Sequence, residues 1–169
     1  MQTHQDQRVY GYFVLIVCLG NICRSPLAEA ALRKELAAAG LGDQVVVDSA
    51  GTGDWNIGKP PDPRMFQAAG ATGLTLQGRA RQLTADDLRD ADLVLVMDRT
   101  NLADVRALAP NDQTRSKVRL FLEFAGQGAT DVPDPYYGGD EGFTEVVTLV
   151  REAAKAVVDR IRTSLVRPT

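Results

Sequence analysis

From Tyr12 to Cys18 every residue is apolar, and the run is rich in β-branched and aromatic side chains. A run of that kind reads as a strand buried on both faces of a parallel sheet. Gly20 and Asn21 follow, then Ser25-Pro26, which reads as an N-cap with proline at the first helical position. Ala28, Leu32, Leu36 and Ala39 recur at helical spacing, and Gly40 ends the helix. Val45-Val46-Val47 reads as the second strand, and a long polar stretch over 49–64 separates it from a helix over 63–71. Thr84, with Asp87 three residues on, signals a capped helical turn. The third strand is placed at 93–97, a helix at 98–109 ended by Pro110, and the fourth strand at 118–122. A second long loop covers 126–142. Val146, Val150, Ala153, Val157, Ile161 and Leu165 then form one stripe of a terminal helix. Four strands alternating with about five helices imply an α/β fold with a parallel sheet, in which ligands bind beyond the carboxyl ends of the strands. Connections as long as these two are candidate functional loops.

Composition narrows the chemistry. The chain has 169 residues, the size of one domain, with 44% hydrophobic and 24% charged residues. Its net charge of −3 argues against nucleic acid as a partner. The single histidine, His4, lies in a polar N-terminal tail over 1–8 that reads as disordered, so a Ser-His-Asp or Cys-His pair in the folded body is disfavoured. Two cysteines, Cys18 and Cys23, fall short of a structural zinc site or a disulfide framework. The apolar run over 9–19 is too short for a membrane span, and the expectation is a cytoplasmic protein with no metal, no cofactor and no membrane partner.

Cys18-Leu19-Gly20-Asn21-Ile22-Cys23-Arg24-Ser25 then stands out: a cysteine ends a strand and an arginine sits at the mouth of a helix. Gly20 and Asn21 tolerate left-handed backbone angles, which let successive N–H groups turn inward as an anion nest. The helix start adds partial positive charge, and Arg24 can grip two phosphate oxygens in a bidentate fork. The same field favours a thiolate at Cys18 without a histidine. The bland alternatives are a buried thiol at a strand end and a solvated arginine, but a cation at a helix N-terminus is disfavoured unless it has a task. Cys23 reads equally as a small core residue or as a redox partner of Cys18.

A thiolate cleaving a phosphate ester needs an acid to protonate the leaving oxygen. Asp134, in Asp134-Pro135-Tyr136-Tyr137-Gly138-Gly139, is a candidate, because neighbouring aromatics can exclude water and favour its protonated form. From the loop alone, an Asp-Pro turn with surface tyrosines is the favoured reading. Trp55 is either a binding wall or a cap on the core.

Together these residues resemble the low-molecular-weight protein tyrosine phosphatase family. Residues 18–26 match its signature loop, and Asp134-Pro135-Tyr136-Tyr137-Gly138 is similar to its general-acid loop. Asp48-Ser49-Ala50-Gly51-Thr52, Pro60-Pro61-Asp62-Pro63-Arg64, Ala80-Arg81-Gln82 and Met97-Asp98 are similar to segments between, and the likeness runs in order from about residue 10 to 163. The resemblance implies a four-stranded parallel sheet flanked by helices, in a phosphatase domain over 9–169. It implies metal-independent hydrolysis of a phosphotyrosine protein or a small aryl phosphate, with inorganic phosphate as product inhibitor. Cys18 attacks phosphorus, Arg24 and the amides of residues 19–24, from Leu19 through Gly20, Asn21, Ile22 and Cys23, hold the oxygens, and Asp134 serves as acid and then base. By the same resemblance, Asn21 is expected to hold the loop by bonding Ser49, Ser25 to bond the Cys18 sulfur, and Asp98 to orient Arg24. Leu19, Trp55 and Tyr136 line the ring slot. Many family members carry a histidine at the position of Gly78, so here the loop is supported from elsewhere or is looser. Among rivals on the same fold, a thioredoxin-coupled arsenate reductase lacks its later cysteines here, and a glutaredoxin-type one does not fit the tyrosine-slot residues. An arginine phosphatase would carry threonine at Ile22, and a non-catalytic binder would have lost Cys18 or Asp134.

Overall fold

In a computed structural model, residues 11–136 and 138–166 are described. His4, the tail over 1–8 and Tyr137 lie outside them. Four strands, β1 (Tyr12–Cys18), β2 (Val45–Gly51), β3 (Leu93–Val96) and β4 (Val118–Leu120), pair in parallel in the order β2-β1-β3-β4. β1 is central, with Cys18 opposite Gly51 on one side and Val17 opposite Val96 on the other. Its alternate residues feed two cores. Val14, Ile16 and Cys18 face the larger one, built with α1 (Arg24–Ala38), α2 (Pro63–Gly70) and α7 (Asp140–Val166). Leu15 and Val17 face the smaller one, with Leu88 of α3 (Ala85–Asp90) and Val105 of α4 (Arg99–Leu108). The expected stripe of α7 is buried at Val146, Val150, Ala153, Val157 and Ile161, and Leu165 is partly buried.

The chain leaves β1 toward β2 on one side, and β3 lies on the other. The strand order therefore reverses between β1 and β3, and their carboxyl ends, at Cys18 and Met97-Asp98, open one crevice. Several boundaries differ from the sequence pattern. β2 runs on through Ser49 to Gly51, because these residues pair with Ile16 to Cys18. β4 stops at Leu120, and the apolar residues beyond it form the short helix α6 (Phe121–Phe124). With α5 (Asp112–Ser116) this makes seven helices among the described residues rather than five. The expected capping box at Thr84 and Asp87 is present, and Asp98 caps α4 in the same way with Asn101. Among the described residues no helix is long and apolar enough to cross a membrane.

Candidate active site

The turn after β1 carries the nucleophile candidate at its floor. Cys18 is buried, its Sγ lies 3.0 Å from Ser25 Oγ, and the Asn21 amide donates to the sulfur at 3.3 Å. Ser25 is not the N-cap that its sequence position suggests. α1 begins two residues before Pro26, at Arg24, with Cys23 at the cap position and no side-chain cap on its first amides. The Ser25 hydroxyl is committed to the loop, accepting from Asn21 Nδ2 at 2.8 Å, so its own proton is available to the sulfur. An uncapped helix start is an anion-binding end.

Asn21 is the one described non-glycine residue with positive φ, at 56°. Its amide side chain explains how that conformation is held. Nδ2 also donates to Ser49 Oγ at 3.0 Å, and Oδ1 accepts the Arg81 backbone N–H at 3.0 Å. Gly20, expected to share the left-handed region, does not adopt it. Glycine there leaves room for Asn56, since a Cβ would stand 2.6 Å from its Nδ2 and that side chain would have to shift. Gly51 is needed for room against backbone: a Cβ would meet the Leu19 carbonyl oxygen at 2.8 Å.

Arg24 is buried under the loop. Nη1 donates to Asp98 Oδ2 at 2.8 Å and to the Val132 carbonyl at 3.0 Å, and Nη2 reaches Asp134 Oδ2 at 3.5 Å. Burial opposes its charge, but Cys18, Asp98 and Asp134 outweigh burial, so its pKa is raised. Cys18, Leu19, Arg24, Trp55, Asp134 and Tyr136 line one cleft of about 140 Å³, together with Gly20, Ile22 and Cys23 of the loop. Trp55 is 59% and Tyr136 41% exposed, so both stand at the rim, and Trp55 is not a core cap. Asp134 is not shielded as its aromatic neighbours suggested: its side chain is 36% exposed. Cys23 is buried in the larger core, and burial, with Asp62 nearby, pushes its thiol up to about 12.

Several contributors carried no local signal. Ser49 Oγ donates to Glu29 Oε1 at 2.6 Å, and Glu29 is buried on α1 beside Arg33 at 2.9 Å. Burial raises the pKa of Glu29 against the Ser49 hydrogen bond and the Arg33 charge. Asn56 Nδ2 donates to the Gly20 carbonyl at 3.3 Å, and the Asp62 amide donates to the Ile22 carbonyl at 2.8 Å. Gly78 has φ of 84° and borders a cavity shared with Asn21, Glu29 and Ser49. On that side the loop is contacted by Ser49, which Glu29 holds in turn, and by the Arg81 amide.

The family model for low molecular weight phosphotyrosine protein phosphatase matches residues 13–167. The chain belongs to that family. A low molecular weight protein-tyrosine-phosphatase from Streptomyces coelicolor is 42% identical over 154 residues, covering 89% of this chain and 94% of the relative. Among solved structures, the protein tyrosine phosphatase of Entamoeba histolytica with Hepes in its active site superposes with a TM-score of 0.87 at 31% identity, covering 92% of this chain and 99% of that one. Wzb of Vibrio vulnificus, in complex with benzylphosphonate, gives a TM-score of 0.76 at 34% identity over 88% of this chain and 97% of that one. As a phosphotyrosine protein phosphatase by family, the chain has the family's parallel sheet, and its cleft opens where that sheet reverses order.

Proposed function

We propose that this phosphatase hydrolyses phosphotyrosine monoesters, in a protein or a small aryl phosphate, through a cysteinyl phosphate and without a metal. The Cys18 sulfur attacks phosphorus and the P–O bond to the ring breaks. Asp134 gives its proton to the departing phenolate. Water then attacks phosphorus, the S–P bond breaks, and Asp134 takes up the proton, releasing inorganic phosphate, which also inhibits as product. The residue 19–24 amides and the Arg24 guanidinium hold the equatorial oxygens, where fixed positive charge does most of the catalytic work in a loose transition state. Asp98 and Val132 fix the guanidinium on its other edge. Leu19, Trp55 and Tyr136 flank the ring.

One observation carries this reading. A sulfur that accepts from the Asn21 amide beside the Ser25 hydroxyl shares a single cleft with a buried arginine and a solvent-reachable carboxylate. The relative bound to benzylphosphonate, an aromatic ring joined to a phosphorus oxyanion, supports the substrate class. A thiolate nucleophile needs a reducing compartment, which fits the cytoplasm. The test is p-nitrophenyl phosphate hydrolysis at mildly acidic pH with thiol and chelator. Wild type should turn over. Cys18→Ser should lose at least about 10⁴-fold in rate while still binding phosphate. Residual turnover near the wild-type rate in the mutant would remove Cys18 from the nucleophile's place.

A further inference from the structure

Arg64 lies in the first turn of α2, outside both loops of the cleft. Its backbone N–H and its Nε donate to Asp62 Oδ1 at 2.8 and 3.2 Å, and Nη2 donates to Oδ2 at 3.1 Å. A guanidinium gripped along one edge keeps its faces for other partners. The central carbon lies over the ring of Tyr136, 5.2 Å from its centroid, and over that of Phe143, 4.6 Å from its centroid. Phe143 is buried in the first turn of α7, so it is a fixed wall. Asp62 is fixed as well, because its amide bonds the Ile22 carbonyl of the phosphate loop. A connected path therefore runs from Ile22 through Asp62 and Arg64 to Tyr136. It continues to the carboxylate, since the Tyr136 amide donates to Asp134 Oδ1 at 3.0 Å.

We propose that Arg64 is a positioning residue for leaving-group protonation: it pins Tyr136 to the body of the domain and so sets the orientation of the Asp134 carboxyl. The inference rests on the reading of Asp134 as general acid. Among the described residues the other tie on that carboxyl is Arg24 at 3.5 Å, long for a charged pair, and a bound phosphate competes for the same guanidinium. Arg64 does not line the cleft, so a phosphate bound there does not compete for its guanidinium. Burial works against charge on Asp62, but the Arg64 hydrogen bonds prevail and hold its carboxyl below the usual range, which keeps the fork ionised.

The experiment compares kcat/KM for 2,4-dinitrophenyl phosphate, a good leaving group, with phenyl phosphate, a poor one. It uses wild type, Asp134→Ala, Arg64→Met and Arg64→Lys, with the inhibition constant of inorganic phosphate as the check on the folded site. Arg64→Met should lose about tenfold on phenyl phosphate and less than about threefold on the dinitro ester, with phosphate inhibition unchanged. Arg64→Lys keeps a cation near the rings but loses the fork, so it should fall between; it carries the test if the methionine variant fails to fold. In an Asp134→Ala background the Arg64 change should cost less than about twofold on either ester, because the group it positions is gone. An equal loss on both esters, or none, in the Arg64 variants would overturn the clamp while a steep loss in Asp134→Ala left the acid standing. An equal loss on both esters in Asp134→Ala would overturn the acid and the clamp with it.

Discussion

Residues 18–25 and the described residues of 131–139 border the same cleft, but they are held by different means. In the first loop every side chain except that of Leu19 is buried or absent, and Asn21 alone ties together Ser25, Ser49 and the Arg81 backbone. In the second, Val132 and Pro135 are buried while Asp134 and Tyr136 are exposed, and the exposed pair is reached by two arginines, Arg24 and Arg64. In the mechanism proposed above, the difference matches two chemical tasks. A cradle for a charge that is present throughout the reaction gains from rigidity, since oriented amides then need no reorganisation. A proton donor must also meet water, because in the second step it receives the proton of the attacking molecule. On that reading the cradle is built into the sheet and helix, and the proposed donor, Asp134, is left at the rim.

The largest expected effect breaks the comparison at the residue common to both loops. Arg24→Lys keeps one charge but cannot reach Asp98, Val132 and two phosphate oxygens from a single ammonium. A loss of about 10²- to 10³-fold in kcat/KM is expected, nearly equal for good and poor leaving groups, because phosphate binding is common to both. A loss confined to poor leaving groups would assign Arg24 to the acid loop instead.

Gly51→Ala sharpens the same contrast more gently. The new methyl group would press on the Leu19 carbonyl at 2.8 Å and the Asn21 amide at 3.2 Å, both backbone, so the cradle itself must shift. Weakened phosphate inhibition and a roughly tenfold loss in kcat/KM are expected, again uniform across leaving groups. Unchanged phosphate affinity would show that the cradle yields without cost.

The sequence carried the cradle further than the acid loop, and the reason is contact range. β1 and the α7 stripe are local hydrophobic patterns, and the Cys18-to-Arg24 spacing is a local motif, so each is legible without long-range contacts. Ser25 was misplaced as a cap because its partners, Cys18 and Asn21, lie behind it in the turn and not along the helix. Glu29 stands among ordinary helix residues, and only the arrival of Ser49 on β2, twenty positions on, links it to the loop. Arg64 reads as a surface residue beside a helix cap until the chain returns with Tyr136 and Phe143. Residue type and spacing picked out groups that the fold brings to one cleft. The groups that hold them came only with the tertiary fold.

The smallest effect concerns the far end of the cradle's support. Glu29 accepts from Ser49 with one oxygen and pairs with half-exposed Arg33 through the other, yet burial prevails and its pKa is raised. The folded state then binds more protons than the unfolded chain from about pH 4.5, the ordinary glutamate value, upward to the raised value. Folding stability from this group is therefore fully present below that window and is lost as pH rises through it. Glu29→Gln keeps an acceptor for Ser49 and removes the titration, so activity should stay within about threefold of wild type. Urea unfolding midpoints measured across mildly acidic to neutral pH should show wild type losing ground to the variant as pH rises. Parallel curves would mean that Arg33 and Ser49 together cancel burial. A wild type that gains on the variant as pH rises would mean they exceed it, and the cradle would then rest on a carboxylate ionised throughout the enzyme's working range.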